Sequence, residues 1–304
     1  MGMRDIEVFR VVMNAGSTSK AANVLGISQP AVSQAIRKLE TSAGLALFLR
    51  VRGRLVPTQE AHALMVDVDK HFVGMDAIEH RIKSLKQFGT GSLAIAAHPA
   101  IGNAFMPRAL AAFDLAQRDV RISLRVLSSR EVHQEVSAGH CDFGLMADEM
   151  PVMGLEHSPF LDMPGVIAMP ALHPLAQHKV ITAQALSEFD FLALNPEDSS
   201  RRRLEMALEA RGVRLNTRVE TAYAHTLCEM ALRGIGVGFV NPLAVVDFID
   251  RGLVVRPFEL PVNFTSLMLF RPGRPLADNA RKLMATMRIQ LAKDLKAVQR
   301  HLAR

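Results

Sequence analysis

The sequence predicts a multi-domain chain of the α+β class, with an N-terminal winged helix-turn-helix, a long linker helix and a C-terminal α/β domain of two subdomains. Three observations predict it: a paired-helix pattern with a central glycine, a long helical pattern without proline, and strands that alternate with helices from residue 92 onward. A chain of 304 residues is also too long for one small core. The expected parts are 1–60, 61–90 and 91–304.

The first part is predicted from residues 17–40, which fit two short helices joined by a turn at Gly26. Gly26 can adopt the left-handed conformation that ends a helix, Ser28 suits the N-cap of the second helix, and Pro30 suits its first turn. The apolar face of the second helix consists of Val32, Ala35, Ile36 and Leu39. Its opposite face is polar and basic and consists of Gln29, Pro30, Ser33, Gln34 and Arg37. The alternative is an ordinary helix pair inside a helical domain.

The neighbouring segments favour a DNA-binding domain. Residues 6–13 form an amphipathic helix that can pack against the pair, and residues 50–58 place three arginines around a glycine between β-prone runs, the pattern of a wing. A polar, basic helix face suits base edges in a major groove, and a wing suits phosphates or a minor groove. We therefore expect double-stranded promoter DNA as a partner. The residues expected to face bases are Gln29, Pro30, Ser33 and Gln34, and those expected to hold phosphates are Thr18, Ser28, Arg37, Arg52, Arg54 and Thr58.

The composition agrees with this partner and argues against other classes of protein. A formal net charge of +6 is compatible with binding to nucleic acid. The two cysteines, Cys141 and Cys228, lack the spacing of a disulfide framework or a structural zinc site, so no metal is expected. The sequence has no signal-peptide pattern and no apolar run of membrane length, which predicts a cytoplasmic protein without a membrane partner.

Catalytic sequence motifs are missing. The GxSxG, HExxH, P-loop and GxGxxG patterns do not occur, and the glycine-rich segment 234–238 enters a strand, whereas a dinucleotide fingerprint follows one. We therefore expect no catalytic residues and no cofactor. The alternatives to a regulator are a solute-binding protein without a DNA role and an α/β enzyme with a helical arm.

The second part is one long helix predicted over residues 58–88, where apolar residues recur at spacings of three and four. Such a narrow seam must pack on something: a partner helix from a second subunit or, as the alternative, its own domain. Helix-turn-helix proteins usually bind DNA as dimers, which favours the partner helix. The positions expected at this dimer contact are Met65, Val68, Phe72, Met75 and Ile82. The segment 89–92 is the expected hinge.

The third part alternates strands and helices in two sets. Strands are expected at 93–97, 121–127 and 142–147 with helices at 103–117 and 129–138 between them, which implies a parallel sheet with right-handed crossovers. The expectations for the second set are strands at 165–169, 191–194, 218–221 and 236–240 and helices at 199–211 and 225–233. A strand at 265–271 and a helix at 276–302 can rejoin the first half. The predicted subdomains are 91–163 with 268–304, and 164–267.

Ligand contacts are expected where the strands of such domains end and the next helices begin, because helix N-termini attract anions. The candidate residues are His98, Pro99, Ala100, Ile101, Ser128, Ser129, Ala147, Asn195, Ser199, Ser200, His225, Thr226 and Asn241. Each has a simpler alternative: the hydroxyls can be helix caps, and His98 can be structural. Residues 201–203 can be a phosphate clamp or a solvated first turn. Asp148 and Glu149 can meet an amine on a ligand or simply end a strand in water.

The motifs resemble those of the LysR-type transcriptional regulators. The run A-A-x-x-L-x-x-S-Q-P-A-V-S-x-x-I-x-x-L-E at residues 21–40, G-L-x-L-F at 44–48 and R-G-R-L-x-P-T at 52–58 are similar to the family's DNA-binding domain, and 225–242 resembles its effector-domain motif. The resemblance implies a periplasmic-binding-protein-like effector domain with a small-molecule effector in its cleft, at the segments named above. It also implies a homodimer or homotetramer and RNA polymerase as a further partner.

Within the family, two subgroups are the most similar. Residues 50–58 and 252–256 resemble the corresponding segments of regulators that activate diaminopimelate decarboxylase. Residues 57–61 and 72–75 resemble those of opine-catabolism regulators. This resemblance implies an amino-acid-like effector, such as diaminopimelate, lysine or an opine, and target genes of amino-acid metabolism.

Overall fold

The computed structural model describes residues 2–51, 54–88, 92–115 and 120–303. Arg52 and the predicted hinge residues 89–91 lie outside the described residues, as does the side chain of Arg54. The chain forms two compact units, Met1–Glu79 and His80–Arg304.

The first unit has the predicted winged helix-turn-helix arrangement. Its elements are α1 (Met3–Ala15), α2 (Thr18–Leu25), α3 (Gln29–Ala43), β1 (Phe48–Val51), β2 (Arg54–Pro57) and the start of α4 (Gln59–Phe88). Gly26 ends α2 with φ 65°, and the Ser28 hydroxyl caps α3 by accepting from the backbone N–H of Ala31. The strands β1 and β2 pair antiparallel as the wing. The predicted helix pair, turn and wing are therefore confirmed.

A small core holds this unit together. Phe9 of α1 and Val32 and Leu39 of α3 are buried within it. The wing is attached to α3 through Glu40, whose Oε1 accepts from the backbone N–H groups of Leu47 (2.8 Å) and Phe48 (3.1 Å). These contacts fix the polar face of α3 relative to the wing.

The apolar seam of α4 divides into two parts. Val68 is buried in the core of its own unit, and Met65 and Phe72 pack against that core half-buried. Further along the helix, Met75 and Ile82 are 42% and 58% exposed. The alternative of packing on its own domain therefore holds for the first half of the seam, and the described residues of the second half present an open apolar face.

The second unit contains two five-stranded sheets. Elements of the first half are β3 (Ser92–Ala97), α5 (Pro99–Gly102), α6 (Phe105–Ala112), β4 (Arg121–Val126), α7 (Ser129–Ser137), β5 (Phe143–Ala147) and β6 (Glu156–Pro164). Elements of the second half are β7 (Val166–Pro170), α8 (Ala183–Ser187), β8 (Asp190–Leu194), α9 (Ser199–Glu209), β9 (Asn216–Thr221), α10 (Ala224–Leu232), β10 (Val237–Val240), α11 (Pro242–Ile249) and β11 (Leu253–Pro257). The chain ends with β12 (Asn263–Phe270) and α12 (Asp278–Leu302).

The sheet orders are β4-β3-β5-β12-β6 and β11-β7-β10-β8-β9. Strand β3 is parallel to β4 and β5, and β8 is parallel to β9 and β10, as the strand–helix alternation predicts. The strands β6, β7, β11 and β12 add antiparallel pairs. Of the helix predicted over 103–117, the structure has α6, which ends at Ala112, while residues 116 and 117 lie outside the described residues.

Two strands carry the chain between the subdomains. Strands β6 and β12 pair along their whole length, from Glu156 opposite Phe270 to Pro164 opposite Asn263. The return to the first subdomain therefore occurs at residue 263, which corrects the predicted boundary at 268. Helix α12 packs on both subdomains, because Leu283 is buried in the apolar core of the first subdomain and Val298 in that of the second.

Among the described residues, no helix combines the length and the apolar character needed to cross a membrane.

Candidate functional site

The polar face of α3 presents the residues predicted to meet bases. Gln29, Pro30 and Gln34 are exposed and Ser33 is half-buried. The side-chain amide of Gln29 donates to the hydroxyls of Thr18 (3.2 Å) and Ser33 (3.3 Å). This joins α2 and α3 in one patch and leaves the carboxamide oxygen of Gln29 as an acceptor, a group suited to the donors of adenine or cytosine in a major groove.

The predicted phosphate contacts differ in what their side chains already do. Arg37 is exposed on α3. The Ser28 hydroxyl caps α3, and the Thr58 hydroxyl lies 3.0 Å from the carbonyl oxygen of Ala46 and accepts from the backbone N–H of Ala61 at 3.2 Å. Ser28 and Thr58 therefore have structural roles, whereas Arg37 presents an exposed charged side chain on this face.

In the second unit, residues at the ends of five strands line one cavity. They are His98 after β3, Ala147 at the end of β5, Leu194 at the end of β8, Ala222 after β9 and Asn241 after β10. Helix starts meet strand ends here because both sheets direct their parallel strands toward the space between the subdomains. We call this cavity, which Asp148, Ser199 and Arg203 also line, the inner cleft.

A wider groove adjoins the inner cleft and shares His98, Asp198 and Ala222 with it. We call it the outer groove; its other polar and charged lining residues are Asn103, Ser128, Glu131, Glu149, Asn195, Glu197 and Tyr223. The free space is about 20 Å³ in the inner cleft and about 630 Å³ in the outer groove. The inner cleft thus has room for about one water molecule, whereas the outer groove can hold a small organic molecule.

Most predicted ligand residues line these two spaces, and four do not. Those that do are His98, Pro99, Ala100, Ser128, Ala147, Asn195, Ser199, Ser200 and Asn241. Ile101 is buried in the apolar core of its subdomain, and Ser129 is buried with its hydroxyl accepting from the backbone N–H of Ala147. His225 and Thr226 are exposed outside both spaces, and the His225 ring lies 4.7 Å from that of Phe248. The structure therefore places these four predicted residues outside the two spaces.

Four of the five helices that begin at the cleft are capped by the side chain of their own N-cap residue. His98 caps α5, Ser128 caps α7 in a reciprocal pair with Glu131, Asp198 caps α9 and Asn241 caps α11. The capping alternative is therefore confirmed for Ser128, and the His98 ring has a structural role as a cap. Helix α10 begins after Tyr223 with no side-chain cap, so its first N–H groups stay without a side-chain acceptor among the described residues.

An ion pair fills the inner cleft. Arg203 on α9 donates from Nη1 to Asp148 Oδ2 at 2.9 Å and from Nη2 to Oδ1 at 3.3 Å, and the Ser199 hydroxyl donates to Oδ1 at 2.7 Å. The other two arginines of the 201–203 run have different partners: Arg201 pairs with Glu205 and Glu220, and Arg202 donates to backbone carbonyls. The run is therefore neither a phosphate clamp nor a fully solvated first turn.

The outer groove is acidic. Four carboxylates line it, from Glu131, Glu149, Glu197 and Asp198, and its described lining contains no Lys or Arg. The pKa of Glu131 is lowered by its hydrogen bonds from Ser128, which keeps that carboxylate charged. Burial lowers the pKa of His98 although Glu149 and Asp198 oppose the shift, so His98 adds no positive charge near neutral pH.

The neutral His98 ring has a defined orientation. Its Nδ1 accepts from the backbone N–H of Ala100 at 3.4 Å, so the proton is on Nε2, which lies 3.5 Å from Oε1 of Glu149. The described residues contain no group of three or more His, Cys, Asp or Glu side chains placed to hold a metal ion. Burial raises the pKa of both Cys141 and Cys228 to about 12, so neither thiol is a reactive nucleophile.

Sequence reasoning missed the acidic character of the outer groove and the pairing of Asp148 with Arg203. Glu131, Glu197 and Asp198 are close in sequence to predicted ligand residues, but each looks like an ordinary helix-start acid. The charges of Asp148 and Arg203 were visible, and only the fold brings them together across 55 positions.

Two protein-family models match the chain. The LysR substrate binding domain matches residues 86–292, and the bacterial regulatory helix-turn-helix protein of the lysR family matches residues 3–62. Together these matches cover both compact units.

Individual proteins are similar over most of the chain. The transcriptional activator protein LysR of Escherichia coli K12 is 36% identical over 272 residues, covering 90% of this chain and 87% of its own. The octopine catabolism/uptake operon regulatory protein OccR of Rhizobium meliloti is 32% identical, covering 86% and 87%. In structure, the chain is similar to HinK, a LysR family transcriptional regulator from Pseudomonas aeruginosa, with a TM-score of 0.57 and 19% identity over 95% of this chain and 98% of that one.

Proposed function

The chain belongs to the LysR family of bacterial transcriptional regulators, and from that premise we propose that its effector is a basic, amino-acid-like molecule and its targets are genes of amino-acid metabolism. Among the predicted effectors, diaminopimelate, lysine and opines built on a basic amino acid, such as octopine, share an α-amino-acid end and a second cationic group. The proposal assigns the cationic group to the outer groove and the amino-acid end to the inner cleft.

The acidic outer groove is the observation that carries this proposal. Glu149, Glu197 and Asp198 line it without a basic residue among its described lining, so a cationic side chain gains charge pairing there and an anionic one is repelled. The uncapped start of α10, at Ala224, lies beside the inner cleft and suits a carboxylate. A basic amino acid carries both groups in one molecule.

The similarity to OccR supports the same class of effector. The name of that protein refers to octopine, a molecule with a guanidinium group and two carboxylates. A guanidinium has the charge that the outer groove complements.

We further propose that the regulator binds promoter DNA as a homodimer or homotetramer through Gln29, Pro30, Ser33, Gln34 and Arg37. The exposed part of the α4 seam, at Met75 and Ile82, supports a helix-to-helix contact between two copies. The domain limits 1–60, 61–90 and 91–304 belong to this proposal, as does RNA polymerase as a partner at the promoter.

Calorimetric titration of the full chain tests the effector class. We expect lysine, diaminopimelate or octopine to bind, and glutamate and leucine not to. Glu149→Gln should weaken binding of the basic ligand about fivefold, the effect of removing one half-exposed ion pair. Glu209→Gln, at the far end of α9 and outside both spaces, is the matched control and should leave binding unchanged. Equal binding of glutamate, or no binding of any basic compound, would contradict the proposal.

A further inference from the structure

The ion pair between Asp148 and Arg203 crosses from one subdomain to the other. Asp148 follows β5 in the first subdomain, and Arg203 lies on α9 in the second. Both guanidinium nitrogens Nη1 and Nη2 donate to the carboxylate, at 2.9 and 3.3 Å. The pair is therefore a direct tie across the inner cleft.

Further contacts hold the tie in place. The Ser199 hydroxyl donates to Asp148 Oδ1 at 2.7 Å, and Arg203 Nη2 also donates to the backbone carbonyl of Asn263 at 2.9 Å. Asn263 begins β12, where the chain returns to the first subdomain. The two side chains occupy the inner cleft so fully that about 20 Å³ of free space is left. An amino-acid end can enter only if they separate.

The tie has the same charges as the ligand end that would replace it. The carboxylate of Asp148 pairs with Arg203 as the α-carboxylate of a ligand would. The guanidinium of Arg203 pairs with Asp148 as the α-ammonium of a ligand would. We propose that the Asp148–Arg203 pair is an internal substitute for the zwitterionic end of the effector and a latch on the cleft: effector binding exchanges it for two new pairs, carboxylate with Arg203 and ammonium with Asp148. This proposal rests on the proposed basic amino-acid effector.

The exchange explains selectivity for a zwitterion. A ligand with both charges leaves Asp148 and Arg203 each paired, whereas a simple amine leaves Arg203 unpaired and a simple acid leaves Asp148 unpaired. Leaving a half-buried charge without its partner is unfavourable, so ligands with one of the two charges are disfavoured.

An unsatisfied donor on Arg203 supports the exchange independently. Within the described part of the chain, Arg203 Nε is the one buried side-chain nitrogen or oxygen without a hydrogen-bond partner. Asp148 accepts from Nη1 and Nη2 and the Asn263 carbonyl accepts from Nη2 as well, which leaves Nε as the guanidinium nitrogen without an acceptor among the described residues. A ligand carboxylate that replaces Asp148 and shifts toward Nε would satisfy this donor, so the latched arrangement is incomplete in a way that the exchange corrects.

The latch also affects affinity. Because the latched state excludes the amino-acid end, the apparent affinity is reduced by the fraction of molecules that are unlatched. Weakening the latch without removing either charge should therefore strengthen effector binding. Ser199→Ala does this, since it removes the hydroxyl that holds Asp148 and leaves both charges in place.

The test compares three probes by calorimetric titration of the full chain. Lysine carries both α-charges, 6-aminohexanoate lacks the α-ammonium and cadaverine lacks the α-carboxylate. We expect wild-type protein to prefer lysine over each by about tenfold or more. The Asp148→Asn variant should lose the preference for lysine over 6-aminohexanoate. The Arg203→Gln variant should lose the preference for lysine over cadaverine. The Ser199→Ala variant should bind lysine more tightly than the wild-type protein does. Asp250→Asn, an exposed carboxylate outside the cleft, should behave as wild type.

The outcomes separate this proposal from the one on which it rests. If wild-type protein binds none of the three probes and neither diaminopimelate nor octopine, the basic effector itself is contradicted and the latch with it. If lysine binds but Ser199→Ala weakens binding, or the preferences survive in Asp148→Asn and Arg203→Gln, the latch is contradicted while the basic effector stands. Thermal unfolding of each variant establishes that it is folded.

Discussion

Individual side chains at the cleft do two tasks that the sequence alone cannot separate. His98 caps α5 and also faces Glu149 in the outer groove, and Ser199 begins α9 while its hydroxyl holds Asp148. A serine, histidine or aspartate after a strand is expected at a helix start for either reason. The pattern therefore predicts where polar residues gather, and only the fold shows which hydroxyl caps and which faces a ligand.

The pKa of His98 makes a prediction at this scale. Because burial lowers it below the ordinary value of 6.5, the folded protein binds this proton less readily than the unfolded chain does. Its contribution to the free energy of unfolding is complete above pH 6.5 and decreases as the pH falls from there toward the lower, folded pKa. Urea unfolding at pH 7.5 and 5.5 should show a loss of stability that is smaller in His98→Gln. An equal loss in both proteins would contradict the assignment.

At the scale of elements, the spacing of apolar residues predicted the helices and strands whose spacing fits either the helical or the strand period clearly. The stripe of α3, the long α4 and the parallel strands β3, β4 and β5 lie close to their expected positions. Strand β6 was missed because Pro159 and Pro164 interrupt its pattern. Helix α11 was missed because it continues an apolar run directly from β10, and such a run shows neither the helical period nor the strand period.

One group of elements depends on a buried polar network that no sequence pattern reveals. Arg108 on α6 donates from Nε to Asp294 of α12 at 3.0 Å, from Nη1 to Asp247 of α11, and from Nη2 to the carbonyl of Leu243 at 3.1 Å. The Gln290 side chain donates to the same Asp294 at 2.6 Å. The network joins a helix of each subdomain to α12, which packs on both.

Breaking this network should be costly. Arg108→Met leaves the carboxylate of Asp294, 3% exposed, without its cation, and we expect a loss of about 3 kcal/mol in the free energy of unfolding measured with urea. Arg108→Met combined with Asp294→Leu should recover much of it, because no buried charge is then left alone. The control is Arg233→Met, which removes an exposed partner of Glu229 and should cost less than about 1 kcal/mol. Equal losses for both single variants would contradict the network's role.

At the scale of the whole molecule, the chain combines a DNA-binding unit with a two-subdomain unit whose cleft an internal ion pair occupies. An effector can change DNA binding only through its different affinity for two arrangements of the protein. The Asp148–Arg203 latch supplies two such states, latched and exchanged, because the two cannot occur together. Resemblance and periodicity predicted the two units; the chemistry of the cleft required side chains that lie far apart in the sequence.

The central claim is that a basic amino acid controls how this protein occupies promoter DNA, and a DNase I footprint on the DNA upstream of its own gene tests it most directly. We expect two protected half-sites about one helical turn apart, or a multiple of it, whose total length changes with lysine, diaminopimelate or octopine but not with glutamate. Arg37→Ala should lose the protection and still bind the effector. No protection at low salt, or a footprint that none of the three basic compounds alters, would contradict the account.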